Sequence, residues 1–387
     1  MSASLTAAAP LVEKLHRVAR HLKDTFVGKD DIIDLLCLCL VGGENLFLLG
    51  PPGTAKSALV HALARRLQGQ TFDYLLTRFT EPNELFGPFD IRKLREGELV
   101  TNTEGMLPEA NLIFLDELLN ANSAILNSLL LVLNEKVFRR GRETRPLPAL
   151  LIVGASNHLP EDEALQALFD RFLVRVRSDN APPEALAAVL AAGWSLERRT
   201  EAPADLPSIS ADEVRQLQAA VPAIDLSTVR PAYAQLVSQL RQAGIAVSDR
   251  RAVKLQRLLA ASALLSQRTE ANASDAWVLR HIWDTDEQRE IIAGIVNAVI
   301  SAAPTDRPHP RATTELVPDA DVLHHEATQL AAKWDAPDTT LAERATLKDQ
   351  LRYLHGRAQW LGNAEQRQYV QQVLDGLWEK VLQYAPA

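Results

Sequence analysis

The run Gly50-Pro51-Pro52-Gly53-Thr54-Ala55-Lys56-Ser57 has the residue types and order of a phosphate cradle. Glycines let the backbone curl until its N–H groups point inward at phosphate oxygens. An apolar run, Asn45 to Leu49, precedes it and an amphipathic run follows from Lys56, so the loop opens a helix whose N-terminus adds partial positive charge. In that strand–loop–helix context, which a Walker A motif requires, Lys56 reaches the outer phosphates and the Ser57 hydroxyl ligates Mg²⁺. Ala55 stands where the strict pattern has glycine. Its methyl is expected to be tolerated only if the residue keeps φ below zero and its Cβ clears the phosphate.

A second constellation lies at Leu112-Ile113-Phe114-Leu115-Asp116-Glu117, where an apolar strand delivers two carboxylates at its end. Ligands of open α/β sheets bind beyond that edge. Asp116 can hold Mg²⁺ through water while Glu117 polarises an attacking water. An acidic pair after a strand is also an ordinary helix N-cap; the phosphate loop upstream turns the balance toward chemistry.

The elements that must position these residues alternate. Helical periodicity covers Leu11 to Thr25, with Leu11, Leu15, Val18 and Leu22 on one face, and Asp30 to Val41, stopped by Gly42-Gly43. Strands are expected at 45–49, 71–76, 112–115, 149–153 and 172–176, and helices at 56–67 and 121–134. This alternation predicts an α/β core with a parallel sheet over residues 1–180. Strand signals vanish after Pro182, and 181–302 reads as an all-α domain. Residues 303–318 are a Pro-rich linker, and 319–387 holds three helical runs, about 319–334, 339–360 and 363–384.

Composition narrows the class. The 387 residues carry a net charge of −8 and 5% aromatics, which argues against a basic nucleic-acid footprint or a base-stacking platform. Two cysteines, Cys37 and Cys39, sit in an apolar run and read as buried fillers. No apolar stretch reaches the length of a membrane span, and Met1 to Pro10 lacks the features of a signal peptide. A soluble, cytoplasmic protein is expected.

The Walker A loop, the Leu-Asp-Glu strand end and Gly154-Ala155-Ser156-Asn157 closing the fourth strand together resemble an AAA+ ATPase. Gly50 to Ser57 with alanine before the lysine is similar to the MoxR group, as are Phe79-Thr80-Glu81-Pro82-Asn83-Glu84-Leu85-Phe86-Gly87, Asn120 to Glu135, and Ala167-Leu168-Phe169-Asp170-Arg171-Phe172. Within that group, Val247-Ser248-Asp249-Arg250-Arg251 is similar to the RavA type. The resemblance spans roughly residues 10 to 300. RavA-type proteins interrupt their C-terminal helices with a small β-rich domain for which this tail has no room, so its partner-binding role does not carry over.

The resemblance implies a P-loop core, an all-α lid and a C-terminal helical bundle, with ATP and Mg²⁺ as cofactors. It gives Asn157 the sensor 1 role, orienting the lytic water or touching the γ-phosphate; residue type alone reads it as a turn former. Arg171 becomes an arginine finger reaching a neighbour's γ-phosphate, held by Phe169 and Phe172. Arg250 becomes the lid arginine, sensor 2, acting in cis; the motif register favours it over Arg251. Two cations at a helix start oppose the helix dipole, a local violation that points to function. Val27-Gly28 resembles the adenine-contacting turn, and a plain interhelix turn explains it equally well.

The passages Pro88 to Leu99 and Phe138 to Pro148 match where MoxR proteins carry hairpin insertions, and the resemblance leaves open whether they line a central pore. The cluster of Arg139, Arg140, Arg142 and Arg145 reads more simply as a solvated charged turn. His324-His325 reads as an exposed helix surface.

The implied function is an ATP-hydrolysing ring motor, a hexamer by resemblance, that remodels, matures or activates a partner protein complex. A partner with a von Willebrand factor A domain and a protein client are implied by analogy. The alternatives are a DNA-associated AAA+ motor, opposed by the acidic charge, and a nucleotide-binding scaffold with little hydrolysis, opposed by Lys56, Asp116 and Glu117.

Overall fold

The computed structural model describes residues 3–383 apart from 98, 141–142, 161, 182, 198–205, 304, 306, 314–319, 337–339 and 359–363. Its contacts divide into two compact units. One comprises 1–230 with 248–282, the other 231–247 with 283–387.

In the first unit, five segments form a parallel sheet: β1 (Leu46–Leu49), β2 (Thr71–Leu75), β3 (Leu112–Asp116), β4 (Leu151–Ser156) and β5 (Val174–Arg177), in the order β2-β3-β4-β1-β5. β1 and β4 are buried throughout, as strands covered on both faces must be. Edge strand β2 instead buries Phe72 between exposed Thr71 and Asp73. The register sets Leu49 opposite Ser156 and Arg177, and Leu75 opposite Asp116. The residues that follow β1, β3, β4 and β5 therefore emerge along one edge.

Helix Asp30–Gly42 is almost wholly buried and contains both cysteines, whose thiols burial pushes up, that of Cys37 to about 12. Helix Asp249–Leu265 packs closely on it. A Cβ built on Gly42 would meet Leu258 Cδ2 at 2.7 Å. Helix C-termini leave carbonyls unsatisfied, and here cations fill the need. Arg257 Nε donates to Gly42 O (2.6 Å) and Lys136 Nζ to Gly43 O (2.9 Å), while Lys254 pairs with Glu44 at 3.3 Å.

Burial pushes the Lys136 ammonium down to about 8; Glu44 opposes the shift, and Lys254 and Arg257 add to it. The unfolded chain keeps that proton to about 10.4, so unfolding takes up a proton between those values. The contribution of Lys136 to stability therefore rises as pH climbs from about 8 toward 10. Thermal melts of wild type and Lys136→Met across this window should diverge in favour of wild type. A constant difference between them would refute the assignment.

Helix Ala3–Thr25 begins well before Leu11, and Pro10 lies inside it. After Pro182, among the described residues, one strand remains that the sequence did not announce, the short Ile209–Ser210, which pairs with Leu67–Gln68. The two insertions form one assembly. Phe89 bridges Thr101 around the short helix Ile91–Arg95, and Val137–Arg140 pairs antiparallel with Glu143–Pro146. The arginines expected in a solvated turn are engaged instead. Arg140 donates to Gly87 O (2.6 Å) and Asn83 Oδ1 (2.5 Å) and lies 4.0 Å over the Phe89 ring. Arg145 donates to Thr103 Oγ1 at 2.5 Å. Guanidiniums here satisfy carbonyls and cover an aromatic face, which a solvated turn does not need. Arg139 is exposed, and Arg142 lies outside the described residues.

The second unit contains helices Ala320–Trp334, Leu341–Ala358 and Ala364–Gln383 around a shared core that includes Leu323, Leu351, Val370 and Leu374. His324 stacks on Tyr369 with 4.1 Å between ring centres, and His325 faces Gln329. Among the described residues no group of three or more His, Cys, Asp or Glu could hold a metal, and no helix is long and apolar enough to cross a membrane.

Candidate active site

At the carboxyl edge of the sheet, Pro52 to Ala58, Asp116, Glu117 and Asn157 line one open pocket. The loop leaves β1 at Gly50, where a Cβ would lie 2.3 Å from Ser178 O, so only glycine lets the chain pass the end of β5. At Gly53 a Cβ would meet nothing within 4 Å, so that part of the loop faces open space. Thr54 Oγ1 donates to Pro51 O at 2.9 Å and closes the turn.

Ala55 departs from the sequence expectation. Its φ is +64°, in the left-handed region, and it caps helix Lys56–Arg66. Alternation of right- and left-handed residues is what aims successive N–H groups into one concavity, so the anion geometry overrides the preference of the methyl-bearing residue. The strain is of order 1 kcal/mol. Alanine to glycine on an ordinary helix loses about 1 kcal/mol; at Ala55 relief of the strain offsets that loss. The melting temperature of Ala55→Gly should hold or rise, and a clear fall would contradict this backbone.

Lys56 is buried, and its ammonium donates to Gly50 O (2.6 Å), Pro51 O (3.0 Å) and Asn157 Oδ1 (3.0 Å). Burial lowers its pKa, while Asp116 and Glu117 oppose the shift. Ser57 Oγ donates to Asp116 Oδ2 at 2.7 Å. Asn157 Nδ2 donates to Glu117 Oε1 at 2.5 Å, and Asn120 Nδ2 reaches Glu117 Oε2 at 3.4 Å. Glu117 itself is left-handed, φ +51°. The structure thus brings Lys56, Ser57, Asp116, Glu117 and Asn157 together. A hydroxyl beside a carboxylate is a hard-oxygen pair suited to Mg²⁺ completed by phosphate oxygens and water, and the loop ammonium matches a phosphate chain. The residues present fit nucleotide and magnesium.

Val27 and Gly28 form a turn, with Gly28 at φ +76°. The next residue, Lys29, was missed by the sequence reading. It is buried, donates to Asp179 O (2.5 Å) and Ser178 Oγ (3.2 Å), and Ser178 Oγ donates to Thr54 O (3.0 Å). Lys29 therefore braces this turn against the phosphate loop. No sequence signal pairs a lysine with a serine so far along the chain.

Arg171 lies outside the pocket lining. It sits in a tight turn, Phe169 to Phe172, whose two rings meet Phe47 of β1 edge-on at 4.9 and 5.3 Å. Its Nε is buried with no hydrogen-bond partner among the described residues. Arg250 is exposed and also outside the lining. Arg251 turns toward the protein, donating to Ile282 O and, through its backbone N–H, to the Ser248 cap.

Residues 13–219 match the family model described as the MoxR domain in the MoxR-vWA-beta-propeller ternary systems. The chain is a MoxR-type AAA+ ATPase. The MoxR domain is followed at 226–296 by a match to the AAA lid domain. An uncharacterised protein of Methanocaldococcus jannaschii is 34% identical over 290 residues, 74% of each chain. The chaperone MoxR1 of Mycobacterium tuberculosis is 28% identical over 177 residues, 45% of this chain and 46% of the relative. A solved structure from Cytophaga hutchinsonii, provisionally described as an ATPase, aligns with a TM-score of 0.62 at 19% identity, covering 75% of this chain and 95% of that one. At that identity the likeness speaks for the shared AAA+ fold, which the MoxR match already places here.

Proposed function

We propose that this MoxR protein hydrolyses ATP with Mg²⁺ as a closed ring, a hexamer by analogy, and uses the cycle to remodel or activate a partner protein complex. The observation that carries the reading is the single pocket lined by Lys56, Ser57, Asp116, Glu117 and Asn157 at the sheet edge. When bound, Mg²⁺ would neutralise charge on the phosphate chain. The chain's own residues do the rest. The loop N–H groups from Gly50 to Ser57 cradle the phosphates and Lys56 neutralises them. Ser57 and Asp116 hold the metal, Glu117 draws a proton from water, and Asn157 orients Glu117. Arg171 acts on the neighbour's nucleotide, and Arg250 closes over the chain's own nucleotide. Val27 and Gly28 flank the base. Functionally, residues 1–180 are the nucleotide core, 181–302 the lid, 303–318 the linker and 319–387 a helical region.

The matched family's description supports a partner bearing a von Willebrand factor A domain; the absence of a membrane-spanning helix among the described residues is in keeping with work in the cytoplasm. Nucleotide bridging two subunits makes assembly nucleotide-dependent. Sizing with and without a non-hydrolysable ATP analogue should show a shift from small to ring-sized species, alongside measured ATP turnover. A chain that stays monomeric with the analogue at tens of micromolar would overturn the ring.

A further inference from the structure

Arg175 on β5 is wholly buried, an expensive place for a guanidinium unless its donors are met. Nη1 donates to Ile282 O at 3.1 Å and Nη2 to Phe169 O at 3.2 Å. The charge lies 4.2 Å over the Phe169 ring, and Asp170 Oδ1 is 3.7 Å away with its side chain half in solvent. Phe169 and Asp170 are the two residues before Arg171. The Phe169 carbonyl also accepts the Phe172 N–H at 3.0 Å, the bond that closes the turn carrying Arg171.

The other carbonyl joins a second element. Ile282 O also accepts from Arg251 Nη2, in the first turn of helix Asp249–Leu265 beside Arg250. Two guanidiniums from different elements thus meet on one oxygen. We infer that Arg175 is a positioning residue that anchors the Arg171 turn to the start of the Arg250 helix. Arg175 thereby holds the turn offered to a neighbouring subunit, taking as its far anchor the Ile282 carbonyl that Arg251 binds independently. Arginine suits the task because its planar fork sends two amino groups to two separate carbonyls, which a lysine ammonium does not span. This inference rests on the finger role proposed for Arg171.

The test uses the full chain with Arg175→Met, Arg175→Lys, Arg171→Ala and the double variant Arg171→Ala/Arg175→Met. ATP turnover, ATP affinity and melting temperature are measured for each. Arg175→Met should lower turnover about 10²-fold, the loss that misplacing a group by about 1 Å produces. Affinity should stay within about twofold, since the pocket lining is untouched. In the double variant the Arg175 change should add little, because the finger it positions is already gone; a merely structural role would multiply the losses. If Arg175→Met does not fold, Arg175→Lys keeps the charge but lacks the fork, and is expected to behave likewise. Wild-type turnover in a folded Arg175 variant, or multiplying losses, overturns the inference. If Arg171→Ala is inactive while the Arg175 variant is not, only the inference falls. If Arg171→Ala itself turns over normally, the finger reading fails and takes the inference with it.

Discussion

Arg171→Ala should lower ATP turnover by ~10³- to 10⁵-fold, the range that arginine fingers supply elsewhere, and should leave the nucleotide affinity of an isolated subunit nearly unchanged. The expectation follows from placement. Arg171 does not line the phosphate pocket of its own chain, its Nε is buried without an acceptor, and Phe169 and Phe172 lock its turn onto β1. A turn locked onto β1 in this way, outside the pocket of its own chain, is suited to presenting Arg171 to charge supplied by another subunit. The decisive measurement mixes subunits. Arg171→Ala keeps an intact phosphate loop, and Lys56→Ala keeps an intact finger. Co-assembled, they make some interfaces with both parts whole, so activity should reappear from two inactive proteins. Mixed rings that form and stay dead would refute trans action, once single active interfaces are shown to fire without coordination around the ring.

Glu117→Gln should keep nucleotide binding and lose turnover by ~10²- to 10⁴-fold, the usual contribution of a general base. The amide oxygen can still accept from Asn157 Nδ2, as the carboxylate does at 2.5 Å, so the pocket should keep its shape. What disappears is the capacity to take a proton. Lys56→Ala should behave in the opposite way and lose binding itself, because it removes the ammonium at the head of the loop. Equilibrium binding and turnover measured on both variants separate the roles. Wild-type hydrolysis by Glu117→Gln would remove Glu117 from the chemistry. The same variant, if it traps nucleotide, is the bait with which to test for the proposed partner bearing a von Willebrand factor A domain.

The residues that the sequence made legible were those whose chemistry is local. Gly50 to Ser57 is contiguous, and Asp116-Glu117 ends an apolar strand, so spacing alone placed them at one sheet edge. The conformation of Ala55 was not legible, because residue preference argued for negative φ and the anion cradle imposed the reverse. Lys29 and Arg175 carried no signal, since their partners Ser178 and Ile282 lie 149 and 107 positions away. The arginines of the second insertion looked like a charged turn because their acceptors, Gly87, Asn83 and Thr103, flank the other insertion, 53, 57 and 42 positions away. At Arg250 and Arg251 the motif register favoured Arg250, and the packed structure adds that this residue is exposed while Arg251 turns to Ile282.

The internal bonds of the pocket make capture of a nucleotide an exchange reaction. Lys56 already holds Asn157 and two loop carbonyls, and Ser57 already holds Asp116. An incoming ligand gains only the surplus of its contacts over those it displaces, as hydrogen bonds formed in water always do. A ligand with a full phosphate chain replaces both sets, while one with a single phosphate displaces them and returns less. The same exchange eases the departure of spent product: as it leaves, the ammonium can return to the asparagine and the hydroxyl to the aspartate, so part of what the ligand gave up is replaced and no charged group is left without a partner.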